Sequence, residues 1–118
     1  MSRTARKTIQ QDDLDRVFHA LSDRTRRAVL DILAEGPAMI TEIAAPFDLT
    51  LPAVSKHIRV LEEARLVERE IDGRVHRCSL AAAPLRDVER WIADRRVFWE
   101  RSLDSLARFV EREKAHKR

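Results

Sequence analysis

The chain is poor in several residue types that particular functions require. Its 118 residues include one cysteine, two glycines and no tyrosine. The single Cys78 excludes an internal disulfide and fits a reducing compartment, and two isolated glycines exclude a glycine-rich phosphate loop. No stretch approaches the ~20 apolar residues of a membrane span, and the first residues lack the apolar segment of a secretory signal. We therefore expect a cytoplasmic protein that has no membrane partner.

The sequence also shows no catalytic or metal-binding constellation. We find no nucleophile accompanied by a base and no paired metal-ligand motif, so we predict neither an enzyme nor a cofactor. Charged residues make up 36% of the chain, yet the formal net charge is only +3. Any affinity for nucleic acid must therefore come from where the cations are placed.

Helical periodicity organises the chain into one domain between two polar ends. A single domain is expected at this length, and we assign it to residues 11–112, between a disordered basic arm at 1–10 and a polar tail at 113–118. The arm fits a solvated tail better than a DNA contact. The first two helices run from about residue 12 to Leu21 and from about 23 to 35, where Gly36 and Pro37 end the second.

Two further helices, separated by a tight turn, follow in the middle of the chain. Thr41 fits as the N-cap of the first, which Pro46 terminates. Thr50 fits as the N-cap of the second, and Pro52 lies in its first turn, where a missing N–H costs nothing. This succession predicts a helix-turn-helix whose second helix spans about residues 51–64.

The second of these helices has one apolar side and one polar side. Helix-turn-helix proteins place the N-terminal part of such a helix in the major groove of double-stranded DNA, where hydroxyl and cationic side chains reach bases or phosphates. His57 projects toward the apolar side, so partly buried packing is a better interpretation for it than a DNA contact. The candidate DNA-binding residues of this recognition helix are Thr50, Pro52, Ser55, Lys56 and Arg59.

A β-hairpin is predicted over about residues 66–80, where β-branched and alternating residues flank Asp72-Gly73, the sequence signal for a type I′ turn. This hairpin is the wing of a winged helix-turn-helix, a mainly α fold in the order α-α-α-α-β-β-α. Its basic residues suit a phosphate backbone or a minor groove. Cys78 fits an inert thiol better than a redox switch. The candidate DNA-binding residues of the wing are Arg69, Arg74, His76 and Arg77.

The last helix, at about residues 84–112, carries both tryptophans and a broad apolar stripe. A small body offers too little area to cover this stripe, so we expect a second subunit to pack against it, in preference to complete burial by its own domain. A homodimer would place two recognition helices about one DNA turn apart and so predicts a palindromic operator. The candidate interface residues are Leu85, Val88, Ile92, Trp99, Leu103 and Leu106.

Taken in this order, the elements resemble the ArsR/SmtB family of winged-helix repressors over about residues 12–110. The resemblance is carried by the strings FHALSDRTRRAVLDIL, LTLPAVSKHIRVLEEARLVERE and DGRVHRCSL. It implies a homodimeric repressor, joined through its first and last helices, that leaves DNA when an inducer binds; the inducer here would be an unknown small molecule. It thereby adds Leu14, Val17 and Phe18 to the candidate dimer interface.

The chain departs from the family pattern at three places. Met39 and Thr41 occupy the positions where metal-sensing members have cysteines, and the last helix lacks the histidines of the other common metal site. We therefore predict a member of the subgroup without the known metal sites. Arg65 stands where the family often has glycine, and if its backbone is left-handed it costs about 1 kcal/mol or more relative to glycine.

Two functional hypotheses remain from the sequence. The first is a sequence-specific DNA-binding regulator, a homodimeric repressor of its own or a neighbouring operon. The second is a winged-helix module that binds another protein and makes no sequence-specific DNA contact. The order and spacing of several independent signals favour the first.

Overall fold

A computed structural model describes residues 9–116, so most of the predicted basic arm lies outside the described residues. The chain forms two compact units, which meet in sequence between Val88 and Glu89. The predicted mainly α fold with a winged helix-turn-helix is confirmed. Its elements are α1 (Gln11–Leu21), α2 (Arg24–Ala34), β1 (Ala38–Met39), α3 (Ile40–Ala44), α4 (Leu51–Glu63), β2 (Val67–Asp72), β3 (Val75–Leu80) and α5 (Ala83–His116).

The sheet has one strand more than the sequence predicted. The two residues of β1 pair antiparallel with β3, so the wing becomes a three-stranded sheet in the order β1-β3-β2. The last helix also continues to His116, beyond the end predicted at residue 112, so residues 113–116 of the expected polar tail are helical.

The core of the first unit lies between its helices and the inner face of the wing. Its largest fully buried side chains come from α1, α2, α3, α4, the segment before the wing, and β3: Val17, Val29, Ile43, Val54, Ile58, Leu61, Leu66 and Cys78. Val54, Ile58 and Leu61 are spaced by four and three residues, which places them on one side of α4. Burying each of the valine, leucine and isoleucine side chains stabilises the fold by about 1.5–3 kcal/mol.

Three residues predicted for the dimer interface belong to this core instead. Leu14, Val17 and Val88 are only 4%, 1% and 5% exposed in the single chain. A side chain that its own chain already covers has little area left for a second subunit, so the burial of these three residues opposes their predicted place in a dimer interface. Phe18 is 40% exposed and remains available.

The helix starts depend on hydrogen bonds to free backbone N–H groups. Thr50 is confirmed as the N-cap of α4, since its Oγ1 accepts a hydrogen bond from the Ala53 N–H at 3.3 Å. The N-cap of α3 is Met39 and not the predicted Thr41. The Glu42 carboxylate accepts a hydrogen bond from the Met39 N–H at 2.8 Å, and the helix begins at Ile40, two residues earlier than an N-cap at Thr41 would place it.

The hairpin turn lies one residue later than the sequence predicted. Asp72 pairs with Val75, which leaves Gly73 and Arg74 as the two central turn residues. Gly73 has a φ of 64°, whereas Arg74 is not among the described residues with positive φ. A positive φ at the first central residue alone is the pattern of a type II′ turn, so the predicted type I′ turn at Asp72-Gly73 was wrong.

Candidate nucleic-acid interface

The recognition helix α4 packs with one side and leaves the other uncovered. Val54, Ile58 and Leu61 are fully buried on the packed side. The predicted DNA-binding residues lie outside the core: Ser55 is half-buried, and the exposed ones are Thr50, Pro52, Lys56 and Arg59. Two cations and a hydroxyl therefore stand free on the N-terminal two-thirds of the helix, which is the chemistry that phosphates and base edges accept.

The C-terminal end of α4 is fixed by a Schellman motif. The N–H of Arg65 donates to the carbonyl of Glu62 at 2.9 Å, and the N–H of Leu66 donates to the carbonyl of Leu61 at 2.9 Å. This motif requires left-handed backbone at its central residue, and Arg65 has a φ of 62°. The left-handed conformation anticipated for Arg65 is therefore present, and the chain turns sharply from the recognition helix into β2.

His57 is tied to the body of the protein and turned away from the free side of α4. Its Nδ1 lies 3.2 Å from Nη1 of Arg26 and 3.8 Å from Oδ2 of Asp23, and its side chain is 23% exposed. An arginine only donates, so Nδ1 is the acceptor of the Arg26 hydrogen bond. This geometry agrees with the predicted packing role for His57.

Arg26 is an anchoring residue that the sequence reasoning missed. It is only 8% exposed, and it donates from Nε to the carbonyl of Ala20 at 2.9 Å and from Nη2 to the carbonyl of His19 at 2.9 Å. Through His57 the same guanidinium reaches α4. Asp23 is the N-cap of α2, and its carboxylate accepts a hydrogen bond from the backbone N–H of Arg26 at 3.0 Å. Among the contacts that lower the pKa of this carboxyl, that hydrogen bond has the largest effect. Arg26 thus connects α1, α2 and the recognition helix.

The four predicted wing residues are divided between two faces and the tip of the hairpin. Strand alternation and the observed register place Arg69 and His76 on the inner face, beside buried Cys78. Arg77 lies on the outer face, directly opposite Glu70. Arg74 is exposed in the turn. Among the four, Arg74 and Arg77 are the exposed cations.

Arg69 is engaged by the end of the recognition helix. Its Nη2 and Nε lie 2.7 Å and 3.2 Å from the two carboxylate oxygens of Glu62, and its Nη1 lies 3.1 Å from Nδ1 of His76. The Arg69 side chain is 18% exposed. A guanidinium held in this way has most of its donors satisfied within the protein, so the geometry opposes the predicted role of Arg69 as a direct DNA contact.

An open groove of about 430 Å³ separates the start of α3 and the N-terminal half of α4 from the wing. Its polar lining includes Thr41 and Ser55 with the wing residues Arg74 and His76. Met39, Ile40, Leu51 and Val75 make the rest of the lining mainly apolar, and the hydroxyl and guanidinium groups are the part of it that a phosphate chain could contact. Thr41 is a candidate that the sequence reasoning assigned only to helix capping, because its proximity to the wing depends on the tertiary fold.

Cys78 is fully buried on the inner face of β3. Burial raises the pKa of its thiol, and the nearby positive charge of Arg69 opposes that effect only in part. A higher pKa disfavours the thiolate that oxidation requires. The structure therefore supports the interpretation of Cys78 as a core thiol.

The described part of the second unit, residues 89–116, is the remainder of α5 and has a largely exposed apolar surface in the single chain. The guanidinium of Arg95 stacks over the ring of Trp91 at 4.5 Å from its centroid. The exposed large apolar side chains are Ile92, Val97, Phe98, Trp99, Leu103, Leu106, Phe109 and Val110.

Within residues 9–116 no helix is both long enough and apolar enough to cross a membrane. No group of three or more histidine, cysteine, aspartate or glutamate side chains in the same range has an arrangement that would hold a metal ion.

Known proteins are similar to this chain in both sequence and fold. A family model described as a helix-turn-helix domain matches residues 21–70. The HTH-type transcriptional regulator Rv2034 of Mycobacterium tuberculosis is 39% identical over 103 residues, 84% of this chain and 90% of that protein. The solved structure of the ArsR family transcriptional regulator RHA00566 is 40% identical, with a TM-score of 0.76, and the match covers 80% of this chain and 97% of that one. The chain belongs to the ArsR/SmtB family.

A second solved structure extends the comparison to assembly. The homodimeric winged helix-turn-helix DNA-binding domain of Mb0332 from Mycobacterium bovis is 29% identical to this ArsR/SmtB-family chain, with a TM-score of 0.57. That match covers 78% of this chain and 82% of the other. The ArsR/SmtB family is one of transcriptional regulators and not of enzymes. Membership of this family confirms the resemblance that was seen in the sequence.

Proposed function

We propose that this chain is a sequence-specific DNA-binding repressor of its own or a neighbouring operon. One observation carries the proposal: α4 presents Ser55, Lys56 and Arg59 outside the core, and its N-terminal half shares one groove with Arg74 at the wing tip. A helix in the major groove with a cationic wing beside it can contact bases and backbone together. Repression is the regulatory sense that the family resemblance implies.

The proposal includes a homodimer that binds a palindromic operator. Ile92, Trp99, Leu103 and Leu106 are between 42% and 64% exposed in the single chain, which is unusual for a stripe of large apolar residues. A second copy of α5 offers the same apolar chemistry, and the similar winged helix-turn-helix domain from M. bovis is homodimeric. We expect two half-sites whose centres lie about one DNA turn apart.

Release from DNA by a small-molecule inducer is part of the same proposal. The thioether of Met39 and the hydroxyl of Thr41 stand where a thiolate metal site would need cysteines. Neither group is a thiolate ligand for zinc or a related metal. We therefore propose an inducer other than a metal held at that position.

A winged-helix module that binds another protein is the second candidate function. Ile71 and Val75, beside the wing turn, are 61% and 43% exposed. Apolar side chains at the tip of a wing suit a protein surface better than a phosphate backbone. This candidate predicts no preference for any DNA sequence.

A gel-shift titration separates the two candidates. The purified protein is titrated against the region upstream of its own gene and against random DNA of equal length, at several salt concentrations. A repressor is expected to bind the upstream region at least ~10³-fold more tightly, with an affinity that falls steeply as salt rises. Equal affinity for both DNAs at every salt concentration would contradict the proposed function and favour the protein-binding module.

A further inference from the structure

We propose that the ion pair between Glu62 and Arg69 sets the position of the wing relative to the recognition helix. Glu62 is then a positioning residue for operator binding, although its negative charge is one that DNA repels. This inference rests on the proposed function and deepens it, because it assigns the DNA-binding geometry to a residue pair that does not itself touch DNA.

The first support is the geometry of the pair. Glu62 lies in the last turn of α4 and Arg69 lies in the middle of β2. The guanidinium approaches the carboxylate through two donors, with Nη2 to Oε1 at 2.7 Å and Nε to Oε2 at 3.2 Å. Two parallel charge-assisted hydrogen bonds fix orientation as well as distance. The contact therefore defines an angle between helix and strand and does more than hold them together.

The second support is the extension of this contact to the other strand of the hairpin. Nη1 of Arg69 lies 3.1 Å from Nδ1 of His76, on β3. A guanidinium has no acceptor atom, so the imidazole accepts this hydrogen bond at Nδ1. One arginine thus connects the recognition helix to both strands of the wing.

The third support is the burial profile along the hairpin. Val67 and Cys78, nearer the base, are buried, whereas Ile71 and the turn residues Gly73 and Arg74 are exposed. Apolar packing therefore fixes the base of the wing. Arg69 and Glu62 are 18% and 30% exposed at the transition between these regions. Because the pair is partly buried, water and salt screen its interaction less than they would screen a fully exposed pair.

Simple electrostatics and positioning make opposite predictions for Glu62. Removal of a negative charge near the DNA-facing surface strengthens attraction to phosphates if charge alone matters. If the pair positions the wing, the same change weakens operator binding, because the wing cations no longer meet the backbone in register with α4. The sign of the effect therefore distinguishes the two.

The experiment compares Glu62→Gln with Glu63→Gln in the full chain. Both variants lose one negative charge at the end of α4, but Glu63 is exposed and is not part of the pair. Fluorescence anisotropy with a labelled duplex from the region upstream of the gene is expected to show about tenfold weaker binding for Glu62→Gln, since the loss of a charge-assisted contact changes an equilibrium constant by a factor of about 5–30. Glu63→Gln is expected to bind as the wild type does, or slightly more tightly.

A second variant keeps the test decisive if Glu62→Gln is poorly folded, which urea unfolding reports. Arg69→Lys keeps the positive charge but cannot form the two-donor contact. Positioning predicts about the same tenfold loss as in Glu62→Gln, because in both variants the wing cations lose their register with the DNA backbone. Exchange of the two charges in Glu62→Arg with Arg69→Glu is expected to restore most of the affinity.

The outcomes also separate this inference from the proposed function. If the wild type shows no preference for the operator over random DNA, the proposed function fails. If the wild type prefers the operator and folded Glu62→Gln binds as tightly or more tightly, the positioning role is overturned. Retained affinity in Arg69→Lys, with a charge exchange that does not restore binding, would likewise overturn it and assign Arg69 to a phosphate contact.

Discussion

Replacement of Arg65 by glycine should stabilise the protein. Arg65 has a φ of 62° at the centre of the Schellman motif that ends α4. A left-handed residue other than glycine costs about 1–2 kcal/mol, whereas glycine loses about 0.5–1 kcal/mol more conformational entropy on folding. The difference leaves a gain of about 0.5–1 kcal/mol for Arg65→Gly.

The gain can be measured by thermal and urea unfolding. For a protein of this size, a gain of that magnitude raises the Tm by about 2–5 °C. Because a dimer makes Tm depend on concentration, wild type and variant must be compared at one protein concentration.

A matched control places glycine on the helical side of the same turn. Glu63→Gly, in the last helical position of α4, is expected to destabilise by about 0.5–1 kcal/mol, because glycine is a poor helix former there. If Arg65→Gly leaves the free energy of unfolding unchanged or lowers it, the reasoning from backbone conformation is refuted.

Three further predictions concern capping, the buried thiol and assembly. Asp23→Ala should cost about 1 kcal/mol at pH 7 through loss of the N-cap of α2. Because contacts led by the Arg26 N–H lower the pKa of Asp23, this contribution is present above about pH 4 and is lost as the pH falls through the depressed folded value, so urea unfolding of wild type and variant should converge in acid. Cys78 should react with a thiol reagent far more slowly in the native protein than in urea; a fast native reaction would contradict its burial. Leu103→Glu should shift sedimentation from dimer to monomer, whereas the charge change Arg101→Glu should not; a dimer that persists in Leu103→Glu would count against the apolar face of α5.

Local signals in the sequence were sufficient to predict the elements that carry the candidate site. The cap at Thr50 and the period of buried residues Val54, Ile58 and Leu61 depend on neighbours within one or two turns, so α4 could be predicted closely. The left-handed backbone at Arg65 is equally local, since the helix must end in a turn there.

Features that depend on the tertiary structure could not be predicted in this way. The two residues of β1 have no strand signal of their own and become a strand only by pairing with β3. An amphipathic helix also does not show whether its apolar side meets its own chain or a partner. The family resemblance placed Leu14 and Val17 at a dimer interface, whereas the single chain already buries both.

The ion pair between Glu62 and Arg69 depends on the direction in which the chain enters β2 after the Schellman motif. The sequence also did not decide which two residues form the centre of the hairpin turn. Both Asp72-Gly73 and Gly73-Arg74 place glycine at a position that accepts positive φ.

The central claim is that the free face of α4 reads an operator, and Arg59→Ala tests it most directly. Arg59 is exposed and outside the core, so the variant should fold normally. We predict that it binds the operator about 1–3 kcal/mol more weakly, which anisotropy titration measures. The charge-matched control Arg101→Ala, exposed on α5, should bind as the wild type does. Operator affinity that is the same in Arg59→Ala, Arg101→Ala and the wild type would contradict the claim.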